Sequence, residues 1–166
     1  GNVDTRLRKL DAGQFDAIVL AAASLERLAI NRHHSAVIEP AWFVPSPAQG
    51  ALAIETRTNG SFRHLIAQFE DRQTRLATRL ERKVLEQLGG DCTMPFGCHA
   101  AIDGLRVHCA AIVLDGRGNE ARAVWEGALA TDADILPAAL AITDRLMAAG
   151  GTAILTTIGG KGALHG

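Results

Sequence analysis

The sequence is poor in cysteine. Three thiols among 166 residues cannot all pair, and Cys92, Cys98 and Cys109 fall in no regular framework. A disulfide-stapled secreted domain is therefore set aside in favour of a reducing cytoplasm. Net charge is lacking too: 17 Lys and Arg stand against 18 Asp and Glu. No global field recruits nucleic acid or an anionic membrane, and any anion site is local. Hydrophobic runs are short, with Asp16 and Glu26 bracketing "AIVLAAASL", so no segment of membrane-spanning length is expected, and no secretory signal is visible. There is no Cys-x-x-Cys knuckle, internal repeat or low-complexity tract. The chain also opens without methionine, on "GNVDTRLRKL", as if inside a folded unit, and is expected to be a piece of a longer protein.

What is present is ample apolar material, 48% of residues, enough for one domain or two small ones. Leu7 and Leu10 among Arg6, Arg8 and Lys9 predict a short helix over 4–11, ended by Gly13. "FDAIVLAA" reads as a strand buried on both faces in a parallel sheet, and Ser24 as the N-cap of "LERLAI". Pro40, Pro45 and Pro47 around Trp42-Phe43-Val44 predict an extended crossover between domains. "QGALAIETR" offers a second strand, and "FRHLIAQF" a helix beyond the Asn59-Gly60 break.

From Asp71, a candidate cap, Leu76, Leu80, Val84 and Leu88 recur every fourth residue in a helix stopped by Gly89-Gly90. "HAAI", "LRVHCAAIVL" and "ARAVWEGAL", joined by Asp103-Gly104 and "DGRGNE", then predict a three-stranded antiparallel meander. Thr131 or Asp132 starts a last helix striped by Ile135, Ala139, Ile142 and Leu146, stopped by Gly150-Gly151 and followed by a frayed tail. The pattern is an incomplete α/β part to about residue 69, then an α-β-β-β-α domain.

Cys92 stands on the pliable loop "LGGDCTMPFG", where it is either a reachable nucleophile or a small buried hydrophobe. Cys109 alternates with Val107 and Ala111 and is expected to be buried; Cys98 fits either role. Cys92, Cys98, His99, His108 and Cys109 are close enough in sequence to raise a metal site. The spacing argues against zinc, because adjacent strand residues cannot easily aim at one ion. His33, His34, His64 and His165 lie in polar settings and are expected to be solvated. Arg6, in the first turns of a helix, does not help the macrodipole, and Arg27 follows the C-terminal end of the buried strand, where open α/β sheets bind ligands. Both suit carboxylate recognition, against the alternative of exposed helix charges. Arg8 and Lys9 are assigned to a solvated face. Gln49-Gly50 offers a side-chain and a backbone amide to a ligand, or is a simple inter-domain turn.

Taken in order, "GNVDTRLRKLDAGQFDAIVLAAASLERL", "PSPAQGALAIETR" and "LERKVLEQLGGDCTMPFG" resemble the porphobilinogen deaminase (hydroxymethylbilane synthase) family over essentially the whole chain. The resemblance implies an α/β fold with a partial periplasmic-binding-protein-like α/β layer followed by a small α+β domain. It divides the chain into 1–47, the later part of a second α/β domain; 48–69, a return segment belonging with the first; and 70–166, the C-terminal domain with the cofactor cysteine. It implies a transferase of heme biosynthesis that joins four porphobilinogen units into 1-hydroxymethylbilane and releases ammonia. It also implies a covalent dipyrromethane cofactor on Cys92, with Gly1, Asn2, Arg6, Arg27, Gln49 and Gly50 lining the cleft that holds the pyrrole carboxylates.

The family's catalytic aspartate belongs to an N-terminal part without a counterpart in this sequence, so no catalytic residue is assigned, and no metal. The implied partners are porphobilinogen, the growing oligopyrrole and the missing N-terminal half, with no nucleic acid and no membrane; the chain alone is expected to be inactive. A rival reading of the same residues is a non-enzymatic carboxylate-binding module with a structural cysteine.

Overall fold

The structure, a computed structural model, describes residues 2–31, 35–91 and 93–162, with side chains through residue 158. They fall into two compact units, one ending at Glu39 and one beginning at Pro40.

In the first unit, α1 (Val3–Asp11) forms where the pattern predicts it, burying Leu7 and placing Asp4 in its first turn and Arg8 and Lys9 in its last. Each of those charges sits where the helix dipole favours it. Gly13, at φ 68°, ends the helix. The next helix, α2 (Ala22–Arg27), is capped by Ala21, so Ser24 lies inside it and is not the cap. The strand expected over "FDAIVLAA" does not form. A strand needs a neighbour for its N–H and C=O groups, and the described residues of this unit contain no other strand, so the segment runs extended with Phe15 and Val19 about half exposed. "QGALAIETR", in the second unit, is likewise extended without a ladder, leaving Leu52 80% exposed. Of "FRHLIAQF", only α3 (Arg63–Ile66) and a following 3-10 turn are helical.

The second unit is built on α4 (Arg72–Gln87), which opens on Asp71; that carboxylate accepts the Thr74 N–H at 2.7 Å. The strands β1 (Phe96–Asp103), β2 (Arg106–Leu114) and β3 (Glu120–Ala128) pair antiparallel in sequence order. Gly104, at φ 60°, begins the two-residue loop between the paired Asp103 and Arg106. Period-two alternation puts Cys98, Ala100, Val107, Cys109, Ala111, Val113 and Ala123 into the core. Against them pack Leu76, Leu80 and Val84 of α4 and Ile135, Ala139, Ile142 and Leu146 of α5 (Ile135–Leu146). Each such Leu or Ile withdrawn from water contributes roughly 1.5–3 kcal/mol, which makes this stripe the main source of stability.

The loop before α5 is fixed by a reciprocal cap between Thr131 and Asp134 and by Asp132, whose carboxylate accepts two bonds from Arg75 Nη1 at 2.8 Å and lies 2.9 Å from Arg79 Nη1. Gly150, at φ 104°, breaks the helix as expected, but the chain resumes as α6 (Thr152–Gly162), which the reading of a frayed tail misses. Packing accounts for this: Ile154 is buried, and Leu155 and Ile158 lean on the core, outweighing poor local helix preference. The stretch Asp132–Ile158 is long and apolar enough to cross a membrane by length and composition, contrary to the expectation of no such segment. Its stripe of Ile135, Ala139, Ile142, Leu146 and Ile154 is buried against the sheet and α4, as in a core helix.

Ahead of α4, residues 40–48 form a proline-rich strap across the start of β1. The Pro45 carbonyl accepts the Cys98 N–H at 2.8 Å, and the Arg122 guanidinium donates to the Ala41 carbonyl at 2.7 Å. The strap therefore packs within the second compact unit. The approach is close enough to need glycine: a Cβ at Gly97 would stand 2.5 Å from the Val44 oxygen.

Two outcomes follow for stability. Hydrogen bonding by Arg75 holds the Asp132 carboxyl below the usual aspartate range, with the charges of Arg75, Arg79 and Arg72 adding to it. A depressed folded pKa contributes stability that is present above the unfolded value and lost as pH falls through the folded one. Thermal unfolding followed from about pH 5, above the unfolded aspartate value, down to about pH 2 is expected to show a falling midpoint that Asp132→Asn flattens. Gly97→Ala, by forcing strap and strand apart, is expected to lower stability by about 1–3 kcal/mol in denaturant unfolding.

Candidate functional site

The loop between α4 and β1 is shaped by its glycines. Gly89, at φ 65°, and bonds from Gly89 N to Glu86 O and Gly90 N to Leu85 O terminate α4. A Cβ on Gly90 would lie 2.6 Å from both Leu85 Cδ1 and Met94 Sδ, the ends of two flexible side chains that would have to move aside. Next, Asp91 accepts the Thr93 N–H at 2.8 Å and the Thr93 hydroxyl at 2.6 Å. Those bonds, the hydroxyl first, hold its carboxyl below the usual range. Gly89, Asp91 and Thr93 are all exposed. Cys92 itself, like Gly1, His33, His34 and His165, lies outside the described residues.

The other two thiols are in a different environment. Cys98 and Cys109, diagonal neighbours on β1 and β2, are fully buried with their Sγ atoms 3.6 Å apart. The Cys109 neighbour and burial push the Cys98 thiol well up, away from the thiolate that nucleophilic attack requires. This resolves the open reading of Cys98 toward the core, and Cys109 is buried as expected. Among the described residues no three His, Cys, Asp or Glu side chains converge as a metal site. His108 instead faces Glu126 across β2 and β3 at 3.2 Å, on the exposed side of the sheet.

The remaining sequence-derived candidates divide between the units. Asn2 is the exposed N-cap residue of α1, its carbonyl accepting the Arg6 N–H at 3.2 Å. Arg6 is exposed and lines a surface hollow with Thr5, Lys9, Phe15, Ala17, Ile18 and Val19. Two cations beside apolar side chains suit a carboxylate on an apolar group, and Lys9, assigned by sequence to a solvated face, is part of that hollow. Arg27 is exposed at the end of α2, outside the hollow. In the second unit, Gln49 and Gly50 are exposed on a turn in which Gln49 N donates to Ser46 O at 3.1 Å, with Ala48 at φ 63° and Gly50 at φ 88°.

One residue at this turn escapes the sequence reading. Glu81, on α4, is 5% exposed, and its carboxylate accepts the N–H groups of Ala48 at 2.6 Å and Ala100 at 2.8 Å. Burial pushes its carboxyl up, against the opposing effect of those two N–H donors. The signal was available: position 81 follows Ala77 by four and precedes Val84 by three, so a carboxylate falls on the apolar face of the helix.

An exposed loop set between a glycine-stopped helix and an antiparallel sheet, on an α+β domain that follows a separate helical unit, defines a two-unit chain with a thiol-bearing second part. A family model described as "Porphobilinogen deaminase, dipyromethane cofactor binding domain" matches residues 1–63, and one described as "Porphobilinogen deaminase, C-terminal domain" matches residues 75–143. The chain belongs to the porphobilinogen deaminase family. It is 40% identical over 156 residues to a porphobilinogen deaminase of Roseiflexus sp. (strain RS-1), an alignment covering 93% of this chain and 50% of that protein. It is 40% identical to a probable porphobilinogen deaminase of Methanosarcina barkeri, over 72% of this chain and 38% of the relative. To a porphobilinogen deaminase of Coxiella burnetii it is 42% identical, over 70% of this chain and 39% of the relative. The chain spans half or less of the length of these curated relatives. Asn2, Arg6, Arg27, Gln49 and Gly50 all fall within the first match and position 92 within the second.

Alkylation of the native chain followed by peptide mass mapping is expected to leave Cys98 and Cys109 unmodified until denaturant is added.

Proposed function

We propose that this chain supplies the cofactor-bearing half of a hydroxymethylbilane synthase, an enzyme that condenses four porphobilinogen units into 1-hydroxymethylbilane with loss of ammonia. The observation that carries the reading is the ordered pair of family matches over 1–63 and 75–143. A dipyrromethane, joined by a thioether to Cys92, supplies the primer to which pyrrole units are added. The loop fits that group: its flanking residues are exposed, Gly89 has open space where a Cβ would stand, and the two other thiols are sealed in the core. Arg6 and Arg27 hold acetate and propionate groups of the bound pyrroles through paired donors, and Asn2, Gln49 and Gly50 line the same cleft with Gly1. None of these groups transfers a proton; they place charge.

The residues 1–47 and 48–69 belong, on this reading, to a periplasmic-binding-protein-like α/β layer completed by strands from the N-terminal half. Its support is the apolar extended chain left without a ladder: Val19 at 53%, Leu52 at 80% and Ile54 at 59% exposure. With Trp42 at 83% and Phe69 at 74%, this is more apolar surface than a finished domain leaves to water. The catalytic aspartate comes from that half, so this chain alone does not polymerise porphobilinogen. The sparse cysteines favour work in the cytoplasm.

Intact-mass measurement of the complete protein tests the assignment. A mass increase equal to a dipyrromethane is expected in the wild type and in Cys98→Ser and is expected to vanish in Cys92→Ser; a wild type of unmodified mass would overturn it.

A further inference from the structure

Glu81 is a buried charge for which the proposed chemistry has no use. Its two oxygens grip different segments: Oε1 takes the Ala100 N–H of β1, and Oε2 takes the Ala48 N–H of the turn that follows the strap. Ala48 is held at φ 63°, a conformation that costs an L-residue about 1 kcal/mol or more. Gln49 and Gly50 follow at once. The titratable side chains facing the carboxylate are His99 of β1, at 3.9 Å, and Arg82 on α4 itself. An apolar side chain would fill the position without burying a charge, so what the carboxylate adds is geometry. An amide cannot replace it, since its single acceptor satisfies one N–H and its NH2 group opposes the other.

We propose that Glu81 is a positioning residue for substrate: by fixing the strained Ala48 backbone to α4 and β1, it aims the Gln49 side chain and the Gly50 backbone at the carboxylate-bearing pyrrole ligand. The inference rests on the reading of Gln49 and Gly50 as cleft residues given above.

Hydrogen exchange on this chain reads the clamp directly. Glu81→Gln is expected to accelerate exchange at Ala48, Gln49 and Gly50 roughly ten- to hundredfold, the loss of one charged hydrogen bond, while Val84 and Val113 stay protected. In the complete enzyme the same change is expected to raise KM for porphobilinogen about tenfold with kcat held within about twofold. Adding Ala48→Gly, which accepts the positive φ without strain, is expected to recover part of that KM. Unchanged exchange at the turn, an unchanged KM, or a loss of protection spread evenly through the core would each overturn the proposal, the last by showing a role in folding alone. The complete wild-type enzyme is the control that separates the two readings. If it neither bears a dipyrromethane nor consumes porphobilinogen, the functional assignment fails and this inference falls with it; if it does both while Glu81→Gln matches it, only the inference falls.

Discussion

The second unit depends on one carboxylate shared between two backbone amides. A β-strand at the edge of a sheet leaves every other N–H facing outward, and β1 is such an edge. Its outward groups at Cys98 and Ala100 are met by the Pro45 carbonyl and the Glu81 carboxylate, so a loop and a side chain together stand in for a missing strand. The same carboxylate ties in the turn at Ala48. With α4 anchored by its leucine stripe and β1 by these caps, the loop from Leu88 to Pro95 runs between two fixed ends. A short loop so pinned is confined in space, and its described residues Gly89, Asp91 and Thr93 are exposed.

Environment, more than residue type, sets the state of the two described thiols. They occupy adjacent strands where small side chains let helices pack close to the sheet, and there each thiol is the other's neighbour and water is excluded. Asp91 and Thr93, by contrast, are exposed and bonded to one another. The glycine pair before them divides its tasks: Gly89 reverses the chain at the helix end, and Gly90 yields its space to Leu85 and Met94. The open space beside the pair is at Gly89, where a Cβ would meet nothing within 4 Å.

Much of the second unit was legible because its signals are local and mutually consistent. Asp71 as a cap, the fourfold spacing from Leu76 to Val84, the alternation through Val107, Cys109 and Ala111, and the glycine turn at 104 each act within a few residues and agree with one another. The first unit was less so. "FDAIVLAA" carries the composition of a buried strand, but a strand is a property of a pair, and no partner is present among the described residues. α6 was missed because its glycines and β-branched residues argue against a helix that only packing of Ile154 can sustain. At the site, Arg6 and the loop flanking Cys92 could be nominated from spacing and resemblance. Glu81 could be noticed as a carboxylate on the apolar face of α4, but not its role, because the two amides that converge on it are distant in sequence.

The order of segments along the chain adds a last point. The proline strap precedes β1 by about fifty residues, so during synthesis its carbonyl is already outside the ribosome when the strand emerges. The cover for the open edge is therefore made before the edge itself, and a nascent chain need not display an unpaired strand to its neighbours on the same message.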